Sequence, residues 1–155
     1  MLHRTMSAAV VVATAGGCAN AEPVPPTPFA DLRINEVAAA GDPLDWVELV
    51  TIGAVDIDID GLFITDDEAD PGKAALPAVV VAPGEFVVVE IDEFGLGFRI
   101  GSDEALFVID PAGEAIDGTD WDEGASPDGG SWGRSSDGTG DFVTFTTATR
   151  GTSNG

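Results

Sequence analysis

Histidine, cysteine and lysine each occur once in this chain of 155 residues, as His3, Cys18 and Lys73, and tyrosine is absent. Those counts decide most of the available chemistry. A Ser-His-Asp triad or a Cys-His pair needs an imidazole beside its nucleophile, and His3 lies in a segment that reads as a leader. A single cysteine cannot close an intramolecular disulfide or build a Cys-cluster zinc site. No glycine-rich loop carrying a lysine follows a strand, so no phosphate cradle is encoded. What remains is carboxylate: 28 Asp and Glu against 6 Lys and Arg, a formal charge of −22.

Carboxylates alone support two chemistries. Two of them at a set separation, one protonated and one charged, hydrolyse a glycosidic bond; so many acids produce such pairs by chance, and solvated surface charge explains them equally well. The other chemistry is calcium binding. Asp56-Ile57-Asp58-Ile59-Asp60-Gly61, with Asp67 at the twelfth place, nearly fits the D-x-D-x-D-G calcium loop. The closing Glu is replaced by Asp67, however, and Gly53 and Pro71 flank the segment in place of helices. A set drawn from Asp66, Asp67 and Asp70, with Asp42 or Asp45, forms a second calcium candidate. Clustered aspartates repel one another until a cation neutralises them or water and salt screen them.

Glu36 and Glu48 sit among apolar neighbours, where an unpaired carboxylate is costly to bury. Arg134 would satisfy one of them through a bidentate pair, unless all three face water. Trp46, Trp121 and Trp132 read as core or staple residues. Trp121 stands in the Asp- and Gly-rich stretch Asp117 to Gly130 and, if exposed, is the candidate partner contact. Nucleic acid is disfavoured: phosphate contacts need Lys and Arg, and Arg33, Lys73, Arg99, Arg134 and Arg150 are too few and too scattered for a basic patch.

The elements that must position these residues begin with the leader, residues 1–17. Met1 to Ser7 carries His3 and Arg4, Ala8 to Ala15 is apolar, and the first acid is Glu22; this is the layout of a secretory signal peptide. The run falls well short of the ~20 apolar residues that span a bilayer. Two exits are written in it. Ala15-Gly16-Gly17-Cys18 resembles a bacterial lipoprotein box, in which Cys18 is acylated and anchors the protein on the outer membrane or cell surface. Ala19-Asn20-Ala21 is an A-x-A site whose cleavage releases a soluble secreted protein. Residues 18–29 form a proline-rich tether that favours extended polyproline II.

Residues 30–155 are one domain's worth of short strands. Leu32–Ala38, Trp46–Ile52, Leu62–Thr65, Pro77–Val81, Phe86–Ile91, Ala105–Asp110 and Phe142–Thr146 are rich in β-branched and aromatic residues. Turn formers such as Gly41-Asp42-Pro43, Asp70-Pro71-Gly72, Pro83-Gly84 and Asp137-Gly138 separate them. Val55 to Asp60 alternates apolar and acidic residues, which as a pleated strand sends Val55, Ile57 and Ile59 inward and Asp56, Asp58 and Asp60 to solvent. Ala78–Val81 and Phe86–Val89 are continuously apolar and predict strands covered on both faces. No apolar stretch keeps helical spacing, so an all-β sandwich is the expected class.

Taken in order, Ile34-Asn35-Glu36-Val37, Asp45-Trp46-Val47-Glu48-Leu49, Asp60-Gly61-Leu62-Phe63-Ile64-Thr65-Asp66-Asp67 and Ala82-Pro83-Gly84-Glu85-Phe86 resemble the bacterial lamin tail domain. The likeness continues through Gly95-Leu96-Gly97-Phe98, Ser131-Trp132-Gly133-Arg134 and Thr149-Arg150-Gly151-Thr152-Ser153-Asn154. It implies an immunoglobulin-like β-sandwich and offers no catalytic set; Asn35, Glu36, Trp46, Glu48 and Arg134 are expected to be structural. It also implies an exported module that adheres or tethers. The expected function is a non-catalytic binding or display module, with the membrane as partner through the N-terminal lipid and a protein or glycan at the cell surface as ligand. The alternatives are a calcium-stabilised adhesion or glycan-binding domain and a carboxylate-only glycoside hydrolase.

Overall fold

A computed structural model of the protein describes residues 27–41, 44–92 and 95–155. The leader, Cys18, both cleavage sites, the tether up to residue 26 and Asp42 lie outside the described residues. Eleven strands succeed one another in chain order: β1 Leu32–Ala38, β2 Asp45–Thr51, β3 Ile57–Asp58, β4 Phe63–Thr65, β5 Ala74–Ala75 and β6 Val80–Val81. They continue with β7 Val87–Ile91, β8 Glu104–Ile109, β9 Ala115–Trp121, β10 Ser131–Arg134 and β11 Phe142–Phe145. The described residues hold no helix, and every strand pairing is antiparallel.

A five-stranded sheet runs β11-β10-β1-β2-β7, a four-stranded sheet runs β5-β4-β8-β9, and β3 pairs with β6. The two larger sheets contribute to one apolar core. Leu32, Ile34 and Val37 of β1, Val47 and Leu49 of β2, and Val89 and Ile91 of β7 meet Ile64 of β4, Leu106 and Val108 of β8, and Trp121 of β9. Each such side chain contributes about 2 kcal/mol by leaving water. Phe29, which the sequence places in the tether, packs against this core, and its carbonyl accepts from Leu32 N at 3.0 Å. The folded body therefore starts ahead of Ala30.

A single irregularity in the first strand pair sets the position of the buried polar groups. Along β1 and β2, Ile34 faces Leu49 and Glu36 faces Glu48, so Asn35 is the extra residue of a β-bulge. A bulge shifts the pleat by one. Core-facing positions change from Leu32 and Ile34 to Val37, while Asn35 and Glu36 turn to the opposite face. That face is not open: all of β2, and all of β1 except Arg33, is buried on both sides.

The structure corrects three local expectations. Val79 and Val80 do not have both faces covered: Val80 is 46 % exposed, and β6 shrinks to two residues paired only with β3. Within Phe86–Val89, Val87 and Val88 are half-buried, because β7 is an edge strand. Asp117 to Gly130 is not wholly loop, since β9 extends to Trp121 and pairs along β8. The alternation from Val55 to Asp60 is realised only in part: Ile57 and Ile59 are buried and Asp56, Asp58 and Asp60 are exposed, but Val55, ahead of the strand, is 65 % exposed. Asp58 Oδ1 accepts from Asp60 N at 3.0 Å, and Gly61 takes φ +81°, the left-handed turn that glycine adopts without a Cβ penalty.

Candidate functional site

The densest polar cluster lies where the bulge turns Asn35 and Glu36 outward, under the C-terminal segment Thr149 to Asn154. Glu36 and Glu48 are both fully buried. Glu36 Oε1 accepts from Thr149 N at 2.8 Å and from the Ser131 hydroxyl, and its Oε2 lies 2.8 Å from Thr149 Oγ1. Thr149 Oγ1 is also 2.7 Å from Asn154 Oδ1, so a single hydroxyl proton serves two acceptors. Glu48 Oε1 accepts from Asn35 Nδ2 at 2.9 Å and its Oε2 from Gly151 N at 2.6 Å.

Asp137, in the turn between β10 and β11, completes the cluster. Its Oδ1 accepts from Asn154 N at 2.9 Å and Asn35 Nδ2 at 3.2 Å, and its Oδ2 from Ser153 Oγ at 2.6 Å. Asn35 Oδ1 in turn accepts from Gly138 N at 2.9 Å. Asn154 Nδ2 donates to the carbonyls of Arg134 at 2.8 Å and Asn35 at 3.2 Å. Every donor here is neutral. Burial, opposed by the Asn35 and Gly151 hydrogen bonds and reinforced by the negative charges of Glu36 and Asp137, pushes the Glu48 carboxyl up to about 7.

Arg134 does not pair with either glutamate. Its Nη2 reaches Asp117 of β9 at 3.0 and 3.2 Å, its Nε donates to Ile34 O at 2.8 Å and its Nη1 to Gly140 O at 3.2 Å. Asp117 Oδ2 also accepts from Ile34 N at 2.8 Å, so the pair joins β10 and β1 of one sheet to β9 of the other. The guanidinium lies 4.5 Å over the Phe142 ring. The cause of this departure from expectation is simple: the closing turn supplies enough N–H and O–H donors to satisfy the glutamates, and Asp117, invisible as a partner in the sequence, lies nearer the arginine.

The tryptophans divide similarly. Trp121 is 2 % exposed and its Nε1 donates to Gly101 O at 3.1 Å, so it is a core residue and not a partner contact. Trp132 donates to Thr119 Oγ1 at 2.9 Å and stacks on Phe142. Trp46 is buried beneath the Arg150 guanidinium, which pairs with Glu90 at 2.5 Å. Arg150 thereby helps hold the closing turn against β2 and β7.

Gly138 sits at the rim of this cluster with φ +64°, and a Cβ built on it would lie 2.4 Å from Ile52 Cγ2. Gly138→Ala combines left-handed strain with overpacking, and should destabilise by about 2 kcal/mol in urea unfolding. Outside the rim, Asp137 and Thr139 line a shallow groove with Val50, Thr51, Ile52, Gly84, Glu85 and Phe86, of about 260 Å³.

The calcium candidates are not assembled into a cage. Asp66 pairs with Lys73. Asp67 Oδ1 accepts from Ala69 N at 2.9 Å, and Asp70 is exposed with its N donating to Asp67 O at 2.9 Å. Asp45 is buried near Arg99, at 3.7 Å, and burial raises its carboxyl against the pull of that charge and of the Gly41 and Ile100 N–H groups. Among the described residues no group of three or more His, Cys, Asp or Glu side chains is placed to hold a metal ion. Melting midpoints with chelator and with added calcium should coincide to within about 1 °C; a rise of several degrees on adding calcium would contradict this arrangement.

Sequence reasoning missed Asp117, Asp137 and Thr149 as members of the polar cluster. Asp137-Gly138 carried a signal as a turn dipeptide, and Thr149 only as the first residue of the closing motif. No helix of the described residues is long and apolar enough to cross a membrane. Compared with protein-family models, with curated proteins and with solved structures, the chain finds no match.

Proposed function

We propose that the chain is an exported, non-catalytic binding or display module, held at the cell envelope by acylation of Cys18, with an immunoglobulin-like body of the lamin-tail type. One observation carries this reading. The buried carboxylates that could have done chemistry are saturated by hydrogen bonds that fasten turns, and no buried side-chain polar atom among the described residues lacks a partner. A general acid or nucleophile needs a substrate-facing lone pair or proton; Glu36 and Glu48 face the protein's own N–H, amide and hydroxyl groups.

The surface fits the same reading. β7 and β11 are the edges of the five-stranded sheet, and an edge strand accepts an extended partner through its unpaired N–H and C=O groups. The strong negative charge keeps the body soluble and away from nucleic acid and anionic membrane surfaces.

The test uses the full chain and Cys18→Ser in a bacterial host, with membrane fractionation, fatty-acid labelling, and sedimentation with isolated envelope polysaccharide. The expected result is labelled, membrane-bound wild type, unlabelled soluble variant, and co-sedimentation of both with the polysaccharide. Turnover of that polysaccharide, abolished by one carboxylate substitution, would replace this reading with the hydrolase. A wild-type chain whose mature N-terminus is Glu22 would remove the anchor.

A further inference from the structure

The only lysine of the chain is held in an unusual setting for a residue of its type. Lys73 immediately precedes β5 and Asp66 immediately follows β4, and the two strands pair with Ile64 opposite Ala74. That register lays the Lys73 ammonium directly against Asp66 Oδ1, with the side chains 29 % and 10 % exposed. The ring of Phe98, itself buried, lies 4.8 Å beneath Nζ and keeps water from one side of the amine. Glu104, the first residue of β8, stands close enough to Asp66 to feel its charge, and one of its oxygens accepts from Gly101 N.

We propose that Lys73 and Asp66 condense into an intramolecular isopeptide bond, with Glu104 carrying the protons. The ammonium of Lys73 gives up a proton and its nitrogen lone pair attacks Asp66 Cγ. The tetrahedral centre collapses, the C–N bond stays, and one Asp66 oxygen leaves as water after receiving protons through Glu104. The ammonium and carboxylate together become one amide and one water, so atoms and charge balance and no oxidant is needed. Glu104 ends as it began.

Three features favour this over an ordinary ion pair. The nucleophile and electrophile are held in contact by strand register, which supplies the proximity a condensation needs. The Phe98 ring, 4.8 Å from Nζ, covers one side of the amine and confines it against Asp66. The Glu104 carboxyl is raised from its ordinary value, chiefly by burial and also by Asp66, against the pull of the Gly101 N–H and the Lys73 charge, and it stands beside the oxygen that must receive protons to leave. The bond would close the turn between β4 and the two-residue edge strand β5, a crosslink the single cysteine cannot provide.

Peptide mapping of the unfolded, trypsin-digested full chain tests it without reference to the N-terminus. The expected product is one peptide covering residues 34–99, uncut after Lys73 and lighter than its sequence by one water, about 18 Da. In Lys73→Arg, trypsin cuts at that position and the mass deficit disappears. Glu104→Gln should leave most of the protein uncrosslinked while the fold, followed by circular dichroism, persists; full crosslinking in that variant would remove Glu104 from the step. Separate peptides 34–73 and 74–99 at full mass from folded wild type would overturn the proposal.

Discussion

Replacing Arg134 with alanine should destabilise the domain by about 3–5 kcal/mol, because removing one partner of a mostly buried pair leaves the other uncompensated. Here the orphan is Asp117, 15 % exposed like Arg134, with only Ile34 N left to donate to it. The loss also frees the carbonyls of Ile34 and Gly140 and the face of Phe142. Because the pair spans both sheets, the cost should appear as lowered global stability, read as a shifted urea midpoint with an unchanged slope. Asp117→Ala alone should cost less, since Arg134 keeps its two carbonyl acceptors. A double-mutant cycle should give a coupling of about 1–3 kcal/mol. An Arg134→Ala effect below about 1 kcal/mol would show that the clamp holds nothing.

Stability should also fall as pH rises from about 4.5 to about 7, with Glu48 the cause. Its carboxyl titrates near 7 in the folded protein against the ordinary 4.5. Between those values the folded chain keeps a proton that the unfolded chain has released. The stabilisation from this site is therefore fully present below the lower value and is lost as pH climbs through the higher. The shift corresponds to about 3 kcal/mol. Other acids also titrate in this range, so the difference between wild type and Glu48→Gln isolates the site. Glutamine loses one acceptor, either for Asn35 or for Gly151 N, and should cost about 1–3 kcal/mol at pH 4.5. That deficit should shrink towards neutrality, because the variant has no proton to release. Parallel stability curves for the two proteins between pH 4.5 and 7.5 would contradict the assignment.

Both predictions concern residues that are conspicuous in the sequence and whose partners are not. Glu48 alternates with Val47 and Leu49, and the period of two places it opposite the core without saying whether that face is wet; Glu36 joins it there only through the bulge at Asn35. The closing turn decides the matter. Thr149 and Gly151 fold back on β1 and β2 and replace water with N–H and O–H donors. Arg134 illustrates the same limit: a guanidinium among many carboxylates has many candidate partners, and Asp117 stands in a stretch that reads as loop. β9 gives no clear signal because Ala115-Ile116-Asp117-Gly118-Thr119-Asp120-Trp121 is too polar to announce a strand, even with the turn Asp110-Pro111-Ala112-Gly113 just ahead of it. Gly118 has its own reason, since a Cβ there would lie 2.5 Å from the Phe107 ring across the pairing.

The sequence by itself determined the class and most of the strand positions. Runs of β-branched residues between Asp-Gly, Pro-Gly and Asp-Pro turns leave little besides antiparallel strands, and Leu32–Ala38 matches β1 at both ends. It also determined which reactive groups exist at all, one amine and many carboxylates, since composition needs no fold. Tertiary structure alone decided the bulge at Asn35, the burial of Trp121, the partner of Arg134 and the meeting of Lys73 with Asp66 and Glu104. Local preferences act over a few residues and survive any fold. Partnership depends on register, and one extra residue in β1 exchanges the two faces of the strand beyond it.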